Sequence, residues 1–206
     1  MPGDFNYASG EATLKLLENV MMDALTALHT RVSVYRVRAP APDQATMEKI
    51  IKAGLRTADH GMLKPWRFLT VQGDSLNRLG ELFAQATLAD APDTTTAELD
   101  KVRTKTASRA PMILIGIVSP KDIPKIPVAE QHLSTGGALQ NMLTAAHALN
   151  VGAIWRTGPL ANHPVVHRGL GLAGHESIIG FIYLGTIDGP TRELRDEPVS
   201  NYTQEW

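Results

Sequence analysis

The chain has 206 residues, 43% hydrophobic and 20% charged, with 17 glycines and 13 prolines, a composition that fits one folded unit with a full core and argues against disorder over most of its length. Lys and Arg total 20 and Asp and Glu 21, a formal net charge of −1, so a broadly basic nucleic-acid binder is excluded as the default reading. Cysteine is absent, which removes disulfides, thiolate nucleophiles, iron–sulfur clusters and thiolate zinc sites together.

A polar start over residues 1–10 is followed by an amphipathic helix expected over 11–30, where Leu14, Leu17, Met21, Leu25 and Leu28 recur at spacings of three and four. Ala39-Pro40-Ala41-Pro42 breaks the chain, and Asp43 caps a second helix with Met47, Ile50, Ile51, Gly54 and Ala58 on one side. Trp66 to Val71 reads as a strand, and Gly73-Asp74 turns into a third helix that buries Leu76, Leu79, Leu82, Phe83 and Ala86. After a loop over 90–95, Thr96 to Arg109 is a polar helix. Met112 to Val118 is an unbroken apolar run rich in β-branched residues, the pattern of a strand buried on both faces. It is also the longest such run, far below the ~18 residues of a membrane-spanning helix.

Three prolines and two lysines mark 119–127 as a loop. Over 128–149 the residues Ala138, Leu139, Met142, Leu143, Ala146 and Leu149 form an apolar face, and much of the remainder is small: Ser134, Thr135, Gly136, Gly137, Ala145, Ala148. A helix so poor in charge is expected to be buried nearly all round, with close helix–helix approach. Gly152 to Trp155 is a short strand, Asn162 a candidate cap for a helix to about Leu170, Ile178 to Leu184 a buried strand, and 188–206 an extended polar tail. The start of the chain has no basic region followed by an apolar stretch, so the expectation is a soluble, cytoplasmic protein without membrane or nucleic-acid partners.

Two motifs fail on context. Gly169-x-Gly171-x-x-Gly174 matches a dinucleotide fingerprint as a string, but it follows a helix and precedes a strand, the reverse of what puts a helix N-terminus against a pyrophosphate. It reads instead as a helix C-cap with a glycine-rich connection. His163 and His167 have metal-ligand spacing but no accompanying glutamate, and read as two surface histidines.

Three segments carry chemistry. Arg31-Val32-Ser33 closes the first helix, where a guanidinium and a hydroxyl can share a phosphate, though arginine at a helix C-terminus is also simply favourable. Arg56 to His60, leading through Lys64 to Pro65-Trp66, is a donor-rich loop in which Trp66 reads as core. Trp155-Arg156-Thr157 ends a strand at Gly158, bringing a ring, a cation and free backbone N–H groups to a loop suited to a flat anionic ligand.

Together these segments resemble the nitroreductase family of flavoproteins, most closely its YdjA-like branch. The resemblance runs from about Met22 to about Thr186. It rests on Arg31-Val-Ser33 where the family has Arg-Arg-Ser, Ala39-Pro-Ala-Pro42, Ile51-Lys-Ala-Gly54-Leu-Arg56, Asp59-His60, Pro65-Trp66-Arg-Phe68, Ile154-Trp155-Arg156-Thr157-Gly158 and Gly180-Phe-Ile-Tyr-Leu-Gly185-Thr. It implies an α+β nitroreductase-like fold, a central mixed β-sheet flanked by helices, in an intertwined homodimer with FMN at the subunit interface. Residues 22–187 would form the FMN-binding domain, with an N-terminal extension over 1–21 and a tail over 188–206.

Carried over by position, Arg31, Val32 and Ser33 would hold the phosphate and ribityl end of FMN. Arg56 and His60 would reach it from the partner chain, and Trp155, Arg156 and Thr157 would line the ring or ribityl. The segment Ala145, Ala146, His147, Ala148, Leu149 and Asn150 would contact NAD(P)H. The implied activity is hydride transfer from NAD(P)H through FMN to a nitroaromatic or quinone acceptor by a ping-pong mechanism. A backbone N–H would orient flavin N5, Arg156 or Lys64 would supply a cation near N1 and C2=O, and no side chain is named as acid or base. The alternatives are a same-fold enzyme with other chemistry, reductive dehalogenation or flavin fragmentation, and a non-catalytic FMN-binding dimer.

Overall fold

A computed structural model describes residues 22–206. The helical start expected over 11–21, with Leu14, Leu17 and Met21, lies outside the described residues. Helix α1 spans Ala24–Thr30, and residues 22 and 23, expected inside a helix, stand outside it because Asp23 is its N-cap, its carboxylate accepting from the N–H groups of Leu25 and Thr26. The further elements are β1 (Val37–Arg38), α2 (Gln44–Gly54), β2 (Trp66–Gln72), α3 (Asp74–Asp90), α4 (Thr96–Ser108), β3 (Met112–Val118), α5 (Val128–Ala148), β4 (Gly152–Arg156), α6 (Pro164–Gly169) and β5 (Ser177–Ile187). Asp43 caps α2, and Thr95 with Glu98 forms a reciprocal capping box on α4. The short helix after residue 162 starts one position later than expected, since His163 rather than Asn162 caps it through Nδ1 and Val165 N–H.

The five strands form one sheet in the order β2-β3-β5, with β4 and then β1 along the other side of β5. Every pairing among the described residues is antiparallel, so within them the sheet is antiparallel rather than the mixed one expected from the resemblance. The cause is the connections: α3 and α4 between β2 and β3 cross the sheet twice and return the chain to the end it left. Strand β3 is buried at all seven residues, as its composition requires. Ile113, Ile115 and Ile117 face a core closed by Leu79, Phe83 and Val166, whereas Met112 and Leu114 face a second core closed by Met47, Ile50, Leu139 and Met142.

Helix α5 lies flat on the second face. Gly116 leaves room for Leu139, and Gly54 of α2 leaves room for Met142. The helix is not enclosed all round within one chain: Leu133 is 75% exposed and Gln140 is exposed, on a stripe that no other described element covers. No helix among the described residues is long and apolar enough to cross a membrane.

Candidate functional site

The site is organised by the free edge of β4. Among the described residues this strand pairs only with β5, and its other edge receives the chain leaving α1, where Val34 N–H donates to the Ala153 carbonyl at 2.9 Å. Strand backbone repeats every two residues, so Trp155 turns its N–H and C=O to the same edge as Ala153. Neither group has a backbone partner there among the described residues.

Arg31 is the C-cap of α1 and, with Val32 and Ser33, walls a cavity whose other side is Arg192, Glu193, Leu194 and Arg195 of the tail. Arg31 and Val32 also border a second cavity of about 540 Å³, shared with His147, Ala148, Asn150 and Arg192. The expected phosphate ligands thus come together, and the tail adds Arg192 and Arg195, which sequence reasoning missed. Two arginines in a polar tail carry no positional signal; only the fold brings them to Arg31. Arg192 stacks on the Tyr35 ring at 4.7 Å from its centroid, and Arg156 approaches the same ring at 5.8 Å. The tail begins at a fixed point, since Arg36 and Arg38 both reach Asp188, at 3.3 and 3.8 Å, and Asp188 N–H donates to the Arg36 carbonyl.

Trp155, Arg156 and Thr157 do not converge on one face, as their adjacency suggested, because strand alternation separates them. Trp155 faces α5 and lies over Gly136 and Gly180, positions where an added Cβ would meet the indole. Arg156 points to the opposite side, into a small cavity with Tyr35, Arg109 and Tyr183. Thr157 and Gly158 open onto a fourth cavity with Lys105, Thr106 and Arg109 from the end of α4, above Phe83 and Phe181. Lys105 and Arg109 are the second omission: α4 reads as an ordinary solvated polar helix, and nothing local marks its last turn as part of a site. Arg31, Lys105, Arg109, Arg156, Arg192 and Arg195 form no ion pair among the described residues.

Arg56 and His60 lie elsewhere. Thr57 accepts a hydrogen bond from Asn141 at 2.8 Å, and His60 Nδ1 meets Glu130 at 2.7 Å, so this loop runs beside α5 between positions 130 and 141. Arg31 stands by His147 at the other end, and positions 130 and 147 of one helix are ~25 Å apart at 1.5 Å per residue. Within a single chain His60 therefore stands far from Arg31, whereas Arg56 adjoins Thr57 opposite Asn141, nearer the middle of the helix. Lys64 belongs to the His60 loop, its N–H held by Asp59, and does not join Arg156. Trp66 is core, as expected.

Of the segment 145–150, Ala146 is fully buried in the second core and Ala145 and Leu149 pack against it; His147, Ala148 and Asn150 border the cavity beside Arg31. The Ala146 methyl thus has no free surface, and within this segment the surface open to a ligand belongs to His147, Ala148 and Asn150. Gly171, at φ 68°, turns the chain at the end of α6, the C-cap reading of the glycine string. His163 Nε2 meets Asp90 at 3.1 Å and His167 Nε2 meets the Ala161 carbonyl at 2.7 Å, so both rings serve the fold.

The comparisons with known proteins agree with this architecture. The sequence profile of the nitroreductase family matches residues 28–186. YdjA of Escherichia coli strain K12, named provisionally as a NAD(P)H nitroreductase, is 36% identical over 165 residues, 80% of this chain and 88% of that protein. A nitroreductase-like family protein from Bacillus cereus shares the fold at TM-score 0.77 and 16% identity, covering 90% of this chain and 96% of that one. A protein of Desulfovibrio desulfuricans, assigned provisionally to the nitroreductases and solved in complex with FMN, shares it at TM-score 0.66 and 23% identity, over 88% and 95% of the two chains. By profile and by sequence identity over most of its length, the chain belongs to the nitroreductase family.

Proposed function

We propose that the protein is an FMN-dependent oxidoreductase that moves hydride from NAD(P)H to nitroaromatic or quinone-type acceptors in two separate half-reactions. The observation that carries this reading is the cationic trough along the free edge of β4. Arg31, Arg192 and Arg195 crowd one end, Arg156, Arg109 and Lys105 the other, and none has a carboxylate partner within ion-pair distance among the described residues. The residues fit FMN: a phosphate finds a guanidinium fork and the Ser33 hydroxyl, a flat ring finds the Trp155 edge amide and the Thr157-Gly158 backbone, and its electron-rich edge finds cations.

FMN, when bound, supplies the hydride chemistry, and the chain binds, orients and tunes it. Arg31 and Ser33 hold the phosphate, with Arg192 and Arg195 closing over it from the tail. The Trp155 N–H, without a backbone partner among the described residues, would be the donor that orients N5. Arg109 and Lys105, with Arg156, take over from Lys64 the role of stabilising negative charge at N1 and C2=O. NAD(P)H contact, if made by the end of α5, is made by His147, Ala148 and Asn150, the residues of that segment facing a cavity.

The working unit is a homodimer. The uncovered stripe of α5 with Leu133 supports it, as does the separation of His60 from Arg31 along that helix, which a second copy would bridge. Chains carrying Arg31→Ala and chains carrying His60→Ala, mixed after unfolding and refolding together, should yield hybrids with one intact flavin site; hybrids no better than either parent would refute shared sites.

The deciding test is the absorbance spectrum of the purified protein. Flavin bands bleached by NADPH and restored by a nitroaromatic are the expected result. A colourless protein that takes up no added FMN would sink the proposal.

A further inference from the structure

The last turns of α1 and α5 meet through one side-chain hydrogen bond. His147 Nε2 lies 2.9 Å from Thr30 Oγ1. The Thr30 hydroxyl donates its own proton to the Thr26 carbonyl at 2.6 Å, so its oxygen is the acceptor and His147 Nε2 carries the hydrogen. The neutral ring is thereby held in one tautomer, and its Nδ1 lone pair has no hydrogen-bond partner among the described residues. Thr30 immediately precedes Arg31, so this bond ties the arginine's backbone to α5.

The same imidazole borders the cavity that holds Arg31 and Arg192. Those two guanidiniums are the only other ionisable groups on that wall among the described residues, one from the end of α1 and one from the tail; α5 and β4 contribute none. Arg195 and Glu193 stand in the adjoining cavity. Burial, and then the charge of Arg31, hold the imidazole below its ordinary range.

We propose that His147 is a positioning residue that couples binding of a phosphate dianion at Arg31 to uptake of a proton from solvent on its free Nδ1. The Nε2–H bond to Thr30 exists in both states of the ring, so protonation adds a charge beside the phosphate without moving Arg31. The sign follows from the charges. Without an anion, burial and the charge of Arg31 disfavour the protonated ring; a dianion reverses the local field and favours the imidazolium. FMN then binds more tightly as pH falls from about 8 toward about 6, where the phosphate gains its own second proton and the trend reverses.

The inference rests on FMN as the ligand, and its test separates the two. FMN is titrated calorimetrically into the full-length, flavin-stripped protein at pH 7.5, in buffers of different ionisation enthalpy; riboflavin, which lacks the phosphate, is the control. The expected result is proton uptake with FMN and none with riboflavin. His147→Gln, which keeps an N–H donor toward Thr30 but cannot titrate, should bind FMN within about threefold of wild type at pH 8 and show no uptake. His147→Ala, which loses the tie, should bind about tenfold more weakly. FMN binding without uptake, uptake unchanged in His147→Gln, or equal uptake with riboflavin would each overturn the proposal and leave the flavin reading standing. Absence of FMN binding would overturn both. Should His147→Gln fail to fold, the FMN–riboflavin contrast in the wild type still decides.

Discussion

Arginine is used in two ways at two places in this molecule. Arg67, at the start of β2, forks onto Glu176 through Nε and Nη2 at 2.7 and 2.6 Å, and a third bond reaches the Gly171 carbonyl at 3.2 Å. Glu176 is 6% exposed and also accepts from Ala173 N–H, so the pair clips the loop before β5 to the sheet. At the free edge of β4, by contrast, Arg31, Arg156, Arg192 and Arg195 collect around Tyr35 and two cavities with no ion pair among the described residues. A charge answered inside the chain serves the fold, and removing its partner costs stability. Charges gathered without an answer repel one another, and a fold tolerates that where a ligand supplies the opposite sign.

The contrast breaks if substitutions at the two places do the same thing. The largest effect should come from Glu176→Gln, which leaves Arg67 unanswered. The Arg67 guanidinium holds the Glu176 carboxyl down at about 2, from an ordinary 4.5, a difference equivalent to roughly 3 kcal/mol. A melting curve should show Tm lower by about 6–12 °C for a domain of this size, with flavin content per folded chain unchanged. The pH dependence has a definite sign. The depressed carboxyl contributes its full stabilisation above 4.5 and loses it as pH falls toward 2, so the wild type and variant should converge in acid unfolding.

Arg31→Ala should do the reverse. Loss of a charge-assisted contact of about 2 kcal/mol predicts FMN binding weaker by about thirtyfold, read by fluorescence titration, with Tm of the flavin-free protein unchanged. Thr95→Ala, which dismantles the capping box of α4, should cost about 1 kcal/mol in denaturant unfolding and leave flavin binding alone. Arg36→Ala touches only the exposed pair with Asp188 and should stay within about 0.5 kcal/mol on both measures. A large loss of flavin there would show that the start of the tail, and not only Arg192 and Arg195, shapes the phosphate end.

Much of the site was legible because its residues are adjacent in sequence. Arg31-Val32-Ser33 sits at a helix end and Trp155-Arg156-Thr157 at a strand end, and both lie along the β4 edge. What adjacency could not say was direction. Trp155 and Arg156 are neighbours, yet the pleat sends one to α5 and the other to Tyr35. Nor could it supply Arg109, Lys105, Arg192 and Arg195, which lie in ordinary polar surroundings until the fold brings them to the cavities beside β4.

Within the described residues, the element pattern was carried by the sequence alone. An apolar β-branched run makes β3, a capping aspartate starts α2, glycine-proline punctuation ends the loops, and the low charge of α5 announces a packed helix. These are local consequences of side-chain shape and solvation, legible one segment at a time. The antiparallel order of the sheet, the solvent-facing stripe of α5 and the separation of His60 from Arg31 were decided only by tertiary structure. Each depends on which distant segments share a surface, and that is set by burying two sheet faces at once rather than by any residue's own preference.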